Sequence, residues 1–262
     1  MIYIVIALMA EASPIIKNLK LTKSSDKPFK VFSSNEYKLI ITGIGKEKAT
    51  IATSHLLTLF SPTQNDYLFN IGICGAPKKF EIGEALIINK ISTHSKYYYP
   101  DMLLRHDFRE NSLLTVDKPQ ENKCDECVDM EASAIYSTSL HFLKSSQMAF
   151  IKIVSDHFSS EIPKKEDVSF WIETHVESIK KLFENASKMR NKKPLLSLNL
   201  QERSQHISDI LRLSHTQKLQ FNDALIFYVL SKGHEPKLQL SKVQENKLQR
   251  NKHFEQIIAS LK

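Results

Sequence analysis

Asp66-Tyr-Leu-Phe-Asn-Ile-Gly-Ile-Cys-Gly75 decides the fold: an apolar run of strand length, rich in β-branched and aromatic residues, that stops at Cys74-Gly75. Similar runs lie on either side of it. Ile2 to Met9 reads as a buried strand, as do Val31-Phe32 and Tyr37-Lys-Leu-Ile-Ile-Thr42, the latter ending at the turn Gly43-Ile-Gly45. Glu84 to Asn89 follows Gly83, and Ala149 to Val154 ends at Ser155-Asp156. Helical spacing fills the gaps: Lys46 to Phe60 repeats Ala49, Ala52, Leu56 and Phe60, and Val128–Phe142 and Phe170–Met189 behave alike. Glu11-Ala-Ser-Pro14 predicts a helix start with Ser13 as N-cap and Pro14 at the first position. Residues 94–127 read as polar and irregular. Strands alternating with helices predict an α/β sheet covered on both faces. In such sheets the polar residues just past strand ends line the site, which nominates Glu11, the Gly43–Gly45 turn, Gly72 to Gly75 and Asp156.

After Asn191-Lys-Lys-Pro194 the pattern changes. Leu200–Leu213, Gln217–Lys232 and Lys242–Leu261 read as three helices with no strand, and Gly233 is a helix stop. Residues 191–262 carry twelve Lys/Arg against six Asp/Glu, so they hold six of the chain's seven net positive charges. Five of the six glycines fall between Gly43 and Gly83. These contrasts divide the chain into an α/β domain, 1–190, and a basic all-α extension, 191–262.

The apolar opening is far shorter than the ~18–20 residues needed to span a bilayer, and no basic residue follows Met1 as in a signal peptide. A cytoplasmic protein without membrane contact is expected. Three cysteines, an odd number in 262 residues, argue for a reducing compartment rather than a disulfide framework. Cys124-Asp-Glu-Cys127 has CxxC spacing, but no second pair completes a four-ligand zinc site, so neither metal nor cofactor is expected.

The nominated residues resemble one family. Ile6-Ala-Leu-Met-Ala-Glu11 is similar to the opening strand and glutamate of the 5′-methylthioadenosine/S-adenosylhomocysteine nucleosidases, within the nucleoside phosphorylase superfamily. Thr42-Gly-Ile-Gly-Lys46 resembles that family's S-G-I-G-K turn, and Asn70-Ile-Gly-Ile-Cys-Gly75 its N-T-G-S-A-G segment. Val128-Asp-Met-Glu-Ala132 matches its V-[DE]-M-E-[AS] helix start, and Val154-Ser-Asp156 its I-S-D strand end. Five motifs in family order make a specific signal where one would be weak.

The resemblance implies a central mixed sheet flanked by helices and the hydrolysis of a purine nucleoside. Breaking that bond leaves a ribosyl group with oxocarbenium character and a base that must accept a proton. By resemblance, Asp156 delivers the proton and Glu11 activates water. Glu131 anchors the ribose hydroxyls, Met130 packs on the sugar, and the backbone at Cys74 and Gly75 borders the base. Lys152 and Ser155 belong to the same set, Lys152 standing where the family has an arginine. Ile73 and Cys74 replace Ser-Ala, and the 94–127 segment is shorter than the family's. Tyr97, Tyr98, Tyr99 and Phe108 are the aromatic candidates for stacking on the base.

Three readings follow. An active nucleosidase is favoured by the carboxylates. A phosphorylase is disfavoured because no arginine precedes Arg105 and Ile73 removes a hydroxyl near the turns. A catalytically weak nucleoside-binding relative, whose tail does the biological work, is suggested by Ile73, Lys152 and the short middle segment. The tail reads as a solvated appendage or an oligomer contact, such as a homodimer's, in preference to a nucleic-acid module.

Overall fold

The computed structural model describes every residue except 64, 101–102, 120–123, 160, 191–194, 239–245 and 262. It separates into two compact units, Met1–Asn191 and Lys192–Lys262.

The first unit is built on one mixed sheet. Strand β5 (Tyr67–Gly75) is its trunk. Along one side it pairs in parallel with β10 (Met148–Asp156). Its other side carries β1 (Ile2–Ile6) over Tyr67–Asn70 and, at Gly75, β9 (Cys127–Asp129). From β1 the sheet continues through β4 (Tyr37–Ile41) and β3 (Lys30–Ser33) to β2 (Thr22–Ser25). From β10 it runs antiparallel to β6 (Ala85–Ser92), then in parallel to β8 (Arg109–Thr115) and β9. A short β7 (Tyr97–Tyr98) pairs with β6. Because β9 returns to β5, five strands close on themselves, and the ends of β5, β9 and β10 meet at one place.

Side-chain alternation gives the sheet two apolar faces. Ile2, Ile4 and Ile6 pack with α1 (Met9–Asn18) and α4 (Lys165–Arg190). Tyr3 and Val5 pack with α2 (Lys46–Phe60) and α3 (Ala132–Ser139).

Three elements differ from the sequence-based expectation. Helix α1 starts at Met9 rather than at Pro14, because the Glu11 carboxylate reaches back to the Leu8 N–H at 2.8 Å and serves the open helix end. Pro14 therefore sits inside the helix, where it cannot bond the Ala10 carbonyl; the Ser169 hydroxyl of α4 bonds that carbonyl instead, at 2.7 Å. Ser13 is no cap, and its hydroxyl turns back to the Met9 carbonyl. Residues 94–127 are not wholly irregular, since they supply β7, β8 and the start of β9. The helix expected from Val128 begins only at Ala132, because Val128 and Asp129 are spent on β9.

The second unit has its own core. Helices α5 (Leu198–Ile210), α6 (His215–Lys232) and α7 (Lys247–Ser260) enclose Leu200, Ile207, Phe221, Leu225, Phe254 and Ile258. Ser197, Ser214 and Asn246 cap the three N-termini, and Gly233 closes α6 at φ 71°. Pro194 and its neighbours in the expected linker lie outside the described residues.

Candidate active site

A cleft of about 400 Å³ opens where β1, β5, β9 and β10 end, and Glu11, Glu131 and Asp156 all line it. These three come from separate elements, and Asp129 and Glu161 line the same space.

Glu11 is held by its place in α1. Its Oε2 accepts the Leu8 N–H and its Oε1 the Ile73 N–H at 2.9 Å. Gly72 makes room for it: a Cβ there would stand 3.1 Å from Oε1. Burial pushes the Glu11 carboxyl above the usual range, against those N–H bonds and the nearby Lys152 ammonium.

Glu131 stands just before α3. Its Oε1 accepts the Gly45 N–H at 2.8 Å, and Gly45 holds φ 101°, a conformation that favours glycine. The two-glycine turn therefore aims a backbone donor at this carboxylate. Burial and the adjacent Asp129 carboxylate push its pKa up to about 7, against Lys152 and Gly45.

Asp156 owes its position to an irregularity. The β10–β5 register slips between Val154 and Asp156, so Ser155 is an extra residue that turns the strand end. The Ser155 hydroxyl lies 2.7 Å from Asp156 Oδ2 and 3.1 Å from the Cys74 carbonyl oxygen, donating between them. Asp156 Oδ1 accepts the Ser159 N–H at 2.9 Å. Gly75 is again the permissive neighbour, because a Cβ there would come within 3.1 Å of Oδ1.

Met130, Cys74, Gly75 and Ser155 line the same cleft. Lys152 does not. Its side chain is 2% exposed, and its ammonium pairs with Asp129 Oδ2 at 2.8 Å behind the cleft wall. In β10 it shares parity with Phe150 and Val154, which face α2 and α3, so the strand's alternation turns it toward Asp129. Burial opposes the ammonium, yet Asp129, Glu131 and Glu11 carry its pKa above the ordinary lysine value.

Asp129 is the residue that sequence reasoning missed. Besides Lys152 it accepts the Thr115 hydroxyl at 2.8 Å and the Ala132 N–H, the first of α3, at 2.9 Å. Its one local signal is an acidic side chain close before a helix start, where negative charge is favoured. None of the four aromatic candidates lines the cleft. Tyr98 packs on Tyr136 at 5.0 Å, Tyr97 lies under Lys90, and Phe108 belongs to another cavity. Phe158 is the ring in the cleft, two residues past Asp156 and at φ 62°.

All three cysteines are free thiols, and the described residues hold no group of three or more His, Cys, Asp or Glu arranged to bind a metal ion. No described helix is long and apolar enough to cross a membrane.

No protein-family profile matches this sequence, and no curated protein matches it. Its structure does have counterparts. A solved MTA/SAH nucleosidase superposes with a TM-score of 0.59 at 16% identity, over 71% of this chain and 95% of the other. The MTA/SAH nucleosidase of Colwellia psychrerythraea, solved with adenine, gives 0.56 at 18% identity over 75% and 97%. The futalosine hydrolase of Helicobacter pylori gives 0.55 at 15% over 70% and 97%. The chain has the nucleosidase fold. Almost the whole of each nucleosidase is matched, whereas about a quarter of this chain lies beyond the shared fold. The carboxylate cleft sits, as the strand-end rule for α/β sheets requires, at the carboxyl ends of the nucleosidase fold's parallel strands.

Proposed function

We propose that the α/β unit hydrolyses the N-glycosidic bond of a purine nucleoside of the 5′-methylthioadenosine or S-adenosylhomocysteine type. The observation that carries the reading is the convergence of Glu11, Glu131 and Asp156 on one cleft whose remaining wall is largely apolar, through Ile44, Val116, Phe158 and Ile162.

Departure of the base needs a proton on the purine and leaves positive charge on the sugar. Asp156, at the open end of β10 and bonded to Ser155, is the acid that protonates the base. Glu11 takes the proton from water; its buried carboxyl, shifted upward, is a better base than a solvated one. Glu131 binds the ribose hydroxyls and faces the developing positive charge, with Met130 against the sugar. Cys74 and Gly75 border the base and Phe158 supplies an aromatic wall.

Water is the nucleophile in this reading. No arginine lines the cleft among the described residues, Lys152 is committed to Asp129, and Lys46 to Asp117 at 2.6 Å. Release of adenine from 5′-methylthioadenosine by the full-length protein, followed chromatographically, tests the proposal. Absence of release with every adenine nucleoside offered would refute it.

A further inference from the structure

Away from the carboxylate cleft, a second cavity of about 630 Å³ lies between α4 and the stretch Arg105–Arg109 that leads into β8. Helix α4 lines it with His175, Ser178, Lys181, Asn185 and Lys188, residues three or four apart and so on one polar face. Asn185 ties the two walls together by donating to the Arg105 carbonyl at 2.8 Å. No residue lines both this cavity and the cleft.

The lining is rich in donors. Arg109 is occupied by Glu84 at 2.9 Å. Arg105, Lys181 and Lys188 have no ion-pair partner among the described residues, and the only other charges facing them are Asp107 and Glu184. His175 spends Nε2 on the Gly83 carbonyl at 2.7 Å. His106 is the anomaly: its side chain is only 10% exposed, its Nε2 lies 3.9 Å from Glu110, and its Nδ1 is buried without a hydrogen bond. Buried polar atoms almost always have a partner, and one without asks for an explanation. Lysine and arginine only donate, so a ligand that satisfies such a lining must bring several acceptors.

We propose that this cavity binds a small oxyanion of the phosphate class. His106 Nδ1 and Arg105 are its fixed donors, and Lys181 and Lys188 close on it from the helix. Glu110 lies on the other side of the imidazole, 3.9 Å from Nε2. This site is independent of the glycosidic reaction and stands or falls without it.

The test titrates the full-length protein with inorganic phosphate at constant ionic strength, reading heat and the ¹⁵N shifts of the His106 ring. Glycerol phosphate in a second arm distinguishes a free from an esterified phosphate. The expected result is saturable binding of at least one of the two, a shift of His106 Nδ1, and a loss of about tenfold or more in affinity in both R105A and K181A. Both substitutions replace exposed side chains, so folding is not at issue. E131Q, in the cleft, should bind as the unmodified chain does. Non-saturating titrations, an unmoved His106, or variants that bind as tightly as the parent would overturn the proposal.

Discussion

Lys152 and Asp129 form a 2.8 Å ion pair with both side chains almost wholly withdrawn from solvent. Asp129 divides itself among Lys152, Thr115 and the first turn of α3, and the ammonium lies close enough to Glu11 and Glu131 to act on both. Asp129 lines the cleft and Lys152 stands behind it, so the pair acts on the proton state of the cleft from its wall. Its two members act on Glu131 in opposite senses, since Asp129 raises that pKa and Lys152 lowers it. Asp129→Asn should move the Glu131 titration below about 7, and Lys152→Met should move it above. Carboxyl ¹³C shifts of Glu131 measure this directly. Shifts in the same direction would mean that the two variants merely disturb the fold.

The same pair sets a stability expectation. Removing one partner leaves the other charged and buried, which costs about 3–5 kcal/mol. Lys152→Met should lose that much in urea unfolding at neutral pH. Lys152→Arg should lose less, because charge is kept while a larger group enters a full site. A loss under about 1 kcal/mol in the methionine variant would show that water reaches Asp129.

Glu131 links the site to pH. Its folded pKa, about 7, lies above the ordinary 4.5, so the folded state holds the proton more tightly than the unfolded one. The resulting stabilisation is complete below about 4.5 and is lost as pH rises toward 7, on the order of 3 kcal/mol. Glu11 is shifted the same way and adds to the slope. Glu131→Gln should flatten the curve between pH 5 and pH 8 relative to the unmodified chain. Unfolding curves at both pH values decide it, and an unchanged slope would place the titration elsewhere.

Much of this cleft is legible in the sequence because its carboxylates sit at element ends, where local pattern and chemistry coincide. Glu11 follows an apolar strand, Asp156 ends one, and Glu131 precedes a helix. What escapes is settled by contacts between distant segments. Lys152 reads as a ligand-facing cation until Asp129 is found beside it. Asp129 matters through Thr115 and Lys152, neither of which is near it in sequence. Strand β8, Arg109–Thr115, is half exposed and polar, so its pairing with β6 and β9 leaves little trace in composition. Phe158 enters the cleft through a left-handed backbone conformation that no hydrophobic pattern announces.

Asp156→Asn tests the proposed acid. With the amide oxygen in the Oδ1 position it can still accept the Ser159 N–H, while the NH2 in the Oδ2 position can donate to the Ser155 hydroxyl oxygen, so the fold should survive. Turnover should fall by about 10²–10⁴, the usual contribution of a positioned general acid. Ser155→Ala, which removes only the supporting hydroxyl, should cost much less. Near-normal turnover in the asparagine variant would move the acid to another group.

The helical unit supplies the last prediction. Among the described residues its core is built from Leu196 to Leu261, and the clusters of the α/β unit from residues that precede it, so each part has a core of its own. A chain ended after Arg190 should therefore fold, with circular dichroism and a cooperative melt like the parent's, and keep whatever glycosidic activity the full protein has. The basic charge goes with the removed part, which holds six of the seven net positive charges. Salt-sensitive retention on an oligonucleotide by the full chain alone would make the extension a nucleic-acid contact. A fall in solution mass beyond that of the removed residues, with no retention in either form, would make it an oligomer contact instead. Insolubility of the shortened chain would contradict the division, because the extension would then be covering apolar surface of the α/β unit.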